Sequence, residues 1–256
     1  MNNINGDFMA NMHSNISFAL VNIPVVMNPI IKDNDTSFNQ LHDKCKKRIK
    51  YIKYCPHCKV DVKEKDIVKG YEYEKDSYLV FEKEELNKLK LDNDKEIDVV
   101  SFINISEVDP FYFEKSYFLK TENKSKSYAL FCEALKKTKK VALAKTILGS
   151  KFYYCILRFA KDGIILTTLY FDEEVNVPDN ELSLKSNEKE LNLAIKLIDS
   201  LTDKFKPEEY KDEYQENIKN AIEDKLDGKD IKTKKRKPKQ QVNDLLDALE
   251  KSLKKK

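Results

Sequence analysis

The side chains that could hold a metal ion lie close together in the first quarter of the chain. His42 and Cys45 form a pair with a two-residue gap, and after nine further residues Cys55 and Cys58 form another. Thiolates are the soft ligands that zinc prefers, and a two-residue gap allows both side chains of a pair to face one ion. The spacing predicts a small zinc ribbon with one structural zinc, since four protein ligands leave no position open for water. His57, inside the second pair, is expected to point away from the ion.

The alternative for these cysteines is that they are ordinary reduced thiols. The chain has five cysteines, an odd number, and its first residues lack the basic and apolar regions of a signal peptide. Both observations indicate a reducing compartment rather than a disulfide framework. Cys132 and Cys155 are interpreted as packing residues. No apolar run is long enough to cross a membrane, so we expect a cytoplasmic protein.

The same region carries the densest positive charge of the predicted folded part. From Lys44 to Lys59 there are seven Lys or Arg residues and no acidic residue. A basic, extended hairpin can grip phosphates without reading bases, because phosphate contacts carry no sequence information. The main candidates for nucleic-acid contact are Lys46, Lys47, Arg48, Lys50, Lys53 and Lys59, and Lys69 is a weaker one. The alternative is a set of solvated strand edges whose charges prevent aggregation.

The net charge of +3 conceals an uneven distribution along the chain. Residues 229–256 contain eleven basic and four acidic residues, a net charge of +7, and the stretch from Lys44 to Lys59 contributes another +7. The remainder of the chain is therefore at −11. Two concentrated positive segments in an otherwise acidic chain predict a directed contact with a polyanion.

Motifs for nucleotide binding or catalysis are absent from the sequence. There is no GxxxxGK[ST], GxGxxG, GxSxG or HExxH, and only five glycines and three histidines occur. Carboxylates are numerous, but no pair stands out, so a metal-dependent nuclease has only scattered acidic residues to support it. The sequence therefore favours a binding protein without a nucleotide cofactor over an enzyme.

The spacing of apolar residues predicts an α+β, mainly β, fold with a barrel-like core followed by a helical arm. Strands are predicted over residues 15–31, 48–54, 67–73, 77–81, 96–103, 111–119, 141–148, 152–159 and 164–171, and helices over 82–90, 125–139, 188–205 and 208–226. The predicted domains are a leader at 1–14, the core at 15–187 with the zinc-ribbon-like basic hairpin at 38–73, the helical arm at 188–228, a flexible basic linker at 229–241 and a short amphipathic helix at 242–256.

The last two segments differ in chemistry. The part of the linker from Lys232 to Lys239 has no apolar side chain beyond Pro238 with which to build a core, so we expect its cations to hold nucleic acid by charge alone. These cations include Lys234, Lys235, Arg236 and Lys237. The following helix places Leu245, Leu246 and Leu249 on one face but is too short to be stable alone. We predict that these leucines dock onto a partner or back onto the body of the protein; the alternative is a frayed helix without a partner.

Several segments of the sequence resemble the prokaryotic Ku proteins. ISFALVNIP at residues 16–24 is similar to the opening strand of that family, and DIVKGYEYE at 66–74 and YFEKSYFL at 112–119 are similar to two further blocks. The resemblance extends from about residue 15 to residue 228. Ala19 stands where the family has glycine, and Met12-His13-Ser14 stands where it has Trp-Lys-Gly.

This resemblance implies a Ku-type β-barrel with extended arm strands and a helical arm. It also implies a homodimeric ring that threads onto double-stranded DNA ends in non-homologous end joining and recruits an ATP-dependent DNA ligase. Such a protein is expected at the nucleoid. The basic ribbon alone also suits a zinc-ribbon adaptor that binds RNA or acts in transcription. A comparison of linear with closed-circular duplex distinguishes these functions, because a ring needs a free end.

Overall fold

The computed structural model describes residues 12–89, 96–178 and 187–231, which form eleven strands and four α-helices. The strands are β1 (Met12–Phe18), β2 (Val21–Pro29), β3 (Tyr54–Cys55), β4 (Val60–Asp61), β5 (Lys69–Glu74), β6 (Ser77–Phe81), β7 (Glu96–Ile103), β8 (Phe113–Lys120), β9 (Val141–Leu148), β10 (Lys151–Ala160) and β11 (Gly163–Leu169). The helices are α1 (Lys83–Lys88), α2 (Lys126–Thr138), α3 (Glu188–Leu201) and α4 (Glu213–Leu226). Residues 232–256 lie outside the described residues; they include most of the predicted linker, with Lys234–Lys237, and the predicted terminal helix, with the leucines at 245, 246 and 249.

Seven of the strands close into a β-barrel in the order β1, β2, β8, β11, β10, β9, β7. All neighbours are antiparallel except β7 and β1, whose parallel pairing, with Ile16 beside Ile97, closes the barrel. The remaining strands form two separate hairpins, β3–β4 and β5–β6. The predicted α+β, mainly β, fold with a barrel core is confirmed.

The interior of the barrel is filled by aliphatic side chains from alternate positions of its strands. The fully buried members include Ile16, Ile23, Ile97, Leu119, Leu157 and Leu166. Helix α2 begins at the N-cap Ser125, whose hydroxyl accepts from the Tyr128 N–H at 3.2 Å, and it packs Phe131 and Leu135 against this core. Cys132 and Cys155 are buried, as expected of packing residues.

Tyr128 ties helix α2 to two barrel strands. Its hydroxyl donates to the Leu119 carbonyl of β8 and accepts from the Ile164 N–H of β11 at 3.0 Å. Burial raises the pKa of Tyr128 to about 12, so the phenol keeps its proton at neutral pH and both hydrogen bonds persist. The helix is therefore a fixed part of the barrel wall.

The prediction of one strand across residues 15–31 is wrong, because the chain reverses at Ala19 and Leu20 to form the β1–β2 hairpin. Ala19 adopts a left-handed conformation with φ of 50°. This conformation costs alanine about 1 kcal/mol more than glycine, which explains why the resembling family has glycine at this position. No glycine or proline marks the turn in this sequence, so the pattern of apolar residues runs through it unbroken.

The described chain divides into two compact units. One contains the barrel and residues 40–89; the other contains residues 34–39 together with the helical arm. Within the second unit, Gln215 on α4 accepts from the Thr36 N–H at 3.0 Å and donates to Asp35 at 3.1 Å. Helix α3 ends at Leu201, before the predicted Phe205, and α4 begins only at Glu213, where Asp212 caps it.

None of the described helices combines the length and the apolar character required to span a membrane.

Candidate nucleic-acid interface

The first predicted metal-ligand pair lies on a tight turn. The Lys46 N–H donates to the His42 carbonyl at 2.8 Å, and the His42 N–H donates to the Lys47 carbonyl at 2.8 Å. Lys46 has a left-handed backbone with φ of 54°, and Leu41 pairs with Arg48 below the turn. This geometry brings His42 Nδ1 to 3.2 Å from Cys45 Sγ.

The second pair lies on a turn of similar build, between β3 and β4. The Lys59 N–H donates to the Cys55 carbonyl at 2.8 Å, and Lys59 is left-handed with φ of 56°. The Cys58 N–H also donates to Cys55 Sγ at 3.4 Å, and this backbone hydrogen bond lowers the pKa of the Cys55 thiol. His57 Nδ1, expected to point away, lies 3.8 Å from Cys58 Sγ.

The structure thus forms each predicted ligand pair separately. Within the described residues, however, no three His, Cys, Asp or Glu side chains gather where they could hold one metal ion.

The predicted phosphate-contacting cations of this region are all exposed to solvent. Lys46 forms an ion pair with Asp43, and Lys53 forms one with Glu64, whose pKa it lowers through a hydrogen bond. Exposed ion pairs of this kind contribute little to stability, so a phosphate can replace either carboxylate. Within the described part of the chain, the other four cations have no carboxylate oxygen within 4.0 Å; they are Lys47, Arg48, Lys50 and Lys59.

Lys69 lies outside the Lys44–Lys59 run, in the stretch of sequence that follows it. It belongs to β5, where it pairs with Phe81 of β6. Residues 60–89, which include that hairpin, contain nine acidic and six basic residues, a net charge of −3. Lys69, the weaker candidate, therefore belongs to a mildly acidic stretch of the chain, which is less favourable for binding a phosphate.

The β5–β6 hairpin carries apolar side chains on both of its faces. Tyr71 and Leu79 are paired across the strands on one face, and they are 64% and 52% exposed. Because side chains alternate along a strand, Tyr78 and Val80 lie on the opposite face, and they are exposed as well. Gly70 lets the Tyr78 ring lie close to the backbone, since a Cβ there would be 3.2 Å from the ring. No residue of either strand is buried. The pattern of residues along the sequence does not mark this hairpin as an interaction surface.

A second apolar surface, also missed from sequence, is a groove of about 470 Å³ on the barrel beside α2. Phe18 stacks on Phe131 in its floor, with ring centroids 5.1 Å apart. Phe102 and Leu130 line the groove and are exposed, and Lys140 lies at its rim. The groove could accept an apolar stripe with acidic neighbours.

Comparisons with known proteins find one matching family and several similar chains. A family described as the Ku70/Ku80 beta-barrel domain matches residues 17–193. The chain is 39% identical over 241 residues to the Non-homologous end joining protein Ku of Desulfitobacterium hafniense, covering 93% of this chain and 85% of the relative. It is 37% identical over 249 residues to the protein of that name from Lachnoclostridium phytofermentans, covering 96% and 97% of the two chains. The similarity to the Bacillus subtilis protein is 38% over 249 residues, covering 93% and 79%.

Proposed function

Because this chain belongs to the Ku family, we propose that two copies of it form a ring that binds double-stranded DNA ends without sequence specificity. The ring acts in double-strand break repair by non-homologous end joining, and it recruits an ATP-dependent DNA ligase. The role is that of a binding protein rather than an enzyme, and it places the protein in the cytoplasm at the nucleoid. The observation that carries the proposal is the exposed basic cluster from Lys44 to Lys59. The β5–β6 hairpin, which follows this cluster in the chain, is at best marginally stable by itself.

The β5–β6 hairpin supports the second copy. An isolated two-stranded hairpin is at best marginally stable in water, and this one has no buried residue and apolar side chains on both faces. Helix α3 presents a similar case, since none of its residues is buried and Ile198 and Leu201 are exposed. Exposed apolar surfaces of this extent mark protein–protein interfaces. A homodimer provides the missing partner surface for both elements.

The charge distribution supports DNA as the ligand. Seven cations without an intervening acidic residue provide a phosphate-binding strip, whereas the rest of the chain apart from the C-terminal segment is acidic and repels a duplex. Contacts between these exposed cations and phosphates carry no sequence information. This favours binding that is independent of sequence.

A comparison of DNA topologies tests the proposal. We expect the protein to bind linear duplex but to bind poorly to closed-circular duplex of the same sequence. When the ends of the linear duplex are blocked after loading, the ring should remain bound on addition of competitor DNA. The measurement is the bound fraction of each form before and after a salt wash. Equal retention on circular and linear duplex would contradict the ring, and preferential binding to single-stranded RNA would favour the adaptor function instead.

The predicted terminal helix at 242–256 is expected to serve the ligase, and the basic linker before it to add affinity for DNA. Deleting Val242–Lys256 while keeping the basic linker should leave end binding nearly intact and reduce stimulation of the ligase, because an apolar stripe on a marginal helix binds a groove. The measurement is the rate of end ligation by an ATP-dependent end-joining ligase with full-length and truncated protein.

Three variants make this test more specific. Replacing Leu245, Leu246 and Leu249 with serine should reproduce the effect of the deletion, whereas replacing Asn243 and Ser252 with alanine should not. Introducing Leu130→Glu into the barrel groove tests the other docking site, on the body of the protein. Ligation stimulated equally with and without the three leucines would contradict docking by this helix.

A further inference from the structure

We propose that His42, Cys45, Cys55 and Cys58 bind one zinc ion by joining two turns of the same build into one structural site. The proposal concerns metal binding and local stability, and it holds whether or not the DNA role of the neighbouring cations is correct.

The two turns match in backbone as well as in sequence spacing. In each, the carbonyl of the first ligand residue accepts at 2.8 Å from the N–H four residues later. In each, that later residue is a lysine in the left-handed region, with φ of 54° at Lys46 and 56° at Lys59. Directly after the second ligand of each pair, this left-handed residue closes the turn, so both ligand side chains of a pair lie on one short turn.

The segment around these turns has no apolar core that could hold it. No residue from 40 to 62 is buried, and only Cys55 and Val62 are partly shielded from solvent. Its strands are two residues long or reduced to a single pair, Leu41 with Arg48. Small elements that cannot bury a core usually need a disulfide, a metal or a partner chain. The cysteines of this segment are free and their spacing with His42 suits zinc, so a metal is the means that its own side chains can supply.

The chain path allows the two turns to meet. The first hairpin is closed by the hydrogen bond from the Ile49 N–H to the Gln40 carbonyl, and the second by the bond from Val62 to Lys53. Residues 50–52 join them at their bases. One shared site requires the chain to reverse at residues 50–52, where the structure has no turn, so that both tips lie side by side. In the described residues the four ligands do not form one cluster, so metal binding requires a rearrangement at this short link.

The charges around the site also favour zinc. Three thiolates, one neutral imidazole and Zn²⁺ have a net charge of −1, and the Lys44–Lys59 stretch surrounds them with seven cations. Nearby lysine and arginine stabilise thiolates, which are the form of cysteine that binds metal. A site with four protein ligands is closed to water, so its role is structural rather than catalytic.

Metal analysis of the full-length protein tests the proposal. We expect one zinc per chain after purification without chelator, and one Co²⁺ per chain with the visible absorption of tetrahedral coordination and the near-ultraviolet bands of thiolate ligands. His42→Ala and Cys55→Ser should each lose the stoichiometric metal. The matched controls are His57→Ala, which changes the neighbouring histidine, and Cys132→Ala, which changes a buried cysteine of the barrel; both should keep it. Metal retained in His42→Ala but lost in His57→Ala would overturn the ligand set.

Trypsin digestion gives a second readout that does not depend on metal content alone. The Lys44–Lys59 stretch offers seven cleavage sites in an exposed segment. Zinc should protect these sites, and removing it with a chelator should lead to rapid cleavage there while the barrel stays intact. Resistance unchanged by chelation, or a metal content near zero in the untreated protein, would overturn the proposal.

Discussion

Replacing Lys46, Lys47 and Arg48 with glutamate is expected to weaken binding to a linear duplex by about two to three orders of magnitude at about 0.1 M salt. Each phosphate contact that is lost removes about 0.9 from the slope of log affinity against log salt concentration, so three contacts flatten the slope by about 2.7. The loss should be the same for duplexes of different sequence, because these side chains contact phosphates. The measurement is a salt titration of binding to two unrelated duplexes.

The control must change the net charge by the same amount. Lys88, Lys124 and Lys126 are exposed lysines outside the basic cluster, and glutamate at 124 and 126 is compatible with the N-terminus of α2. Their replacement with glutamate should leave the salt slope nearly unchanged. If the Lys46, Lys47 and Arg48 variant kept wild-type affinity and slope, the DNA-binding site would lie elsewhere, and the basic linker with Lys234–Lys237 would be the next candidate.

The barrel strands are largely predictable from sequence where local signals mark their ends. β7 and β9 begin and end at the predicted residues, since each is a continuous run with strand propensity. The β1–β2 hairpin is not predictable in this way, because its turn uses Ala19 in a left-handed conformation that only the fold enforces. Helix α4 likewise begins later than the pattern predicts. It starts at Glu213, after the N-cap Asp212, and not directly after Pro207.

In the candidate site, too, the features that are local in sequence are predictable and those that depend on the fold are not. Ligand pairs and cation runs are local in sequence, so the two turns and the basic cluster appear where the spacing predicts them. The apolar groove is not local: Phe18, Phe102 and Leu130 come from three elements, and only the closed barrel brings them together. The β5–β6 hairpin was missed for a different reason. Alternation along β5 indicates a strand with one buried face, whereas the adjacent Leu79 and Val80 of β6 give both faces apolar character.

That hairpin is expected to hold the dimer together, and the double variant Tyr71→Glu, Leu79→Glu should separate the two copies. The two side chains are paired on one face, so a partner surface that buries one buries the other. Aromatic and aliphatic anchors in an interface contribute about 2 kcal/mol or more each, which together corresponds to a rise in the dimer dissociation constant of roughly 1,000-fold. Two buried glutamates without partners add a further penalty. Analytical ultracentrifugation across a concentration series measures the shift from dimer to monomer.

The matched control applies the same chemical change at an apolar residue outside the hairpin. Leu130 on α2 is 67% exposed, more than either hairpin residue, and Leu130→Glu should leave the dimer intact. The barrel should stay folded in both variants, because neither hairpin residue contributes to its core; the thermal unfolding midpoint checks this. Monomeric protein cannot encircle a duplex, so the hairpin variant should also lose salt-resistant retention on linear DNA while keeping weak binding through Lys47 and Arg48. A hairpin variant that remained dimeric would place the interface elsewhere, with α3 as the alternative surface.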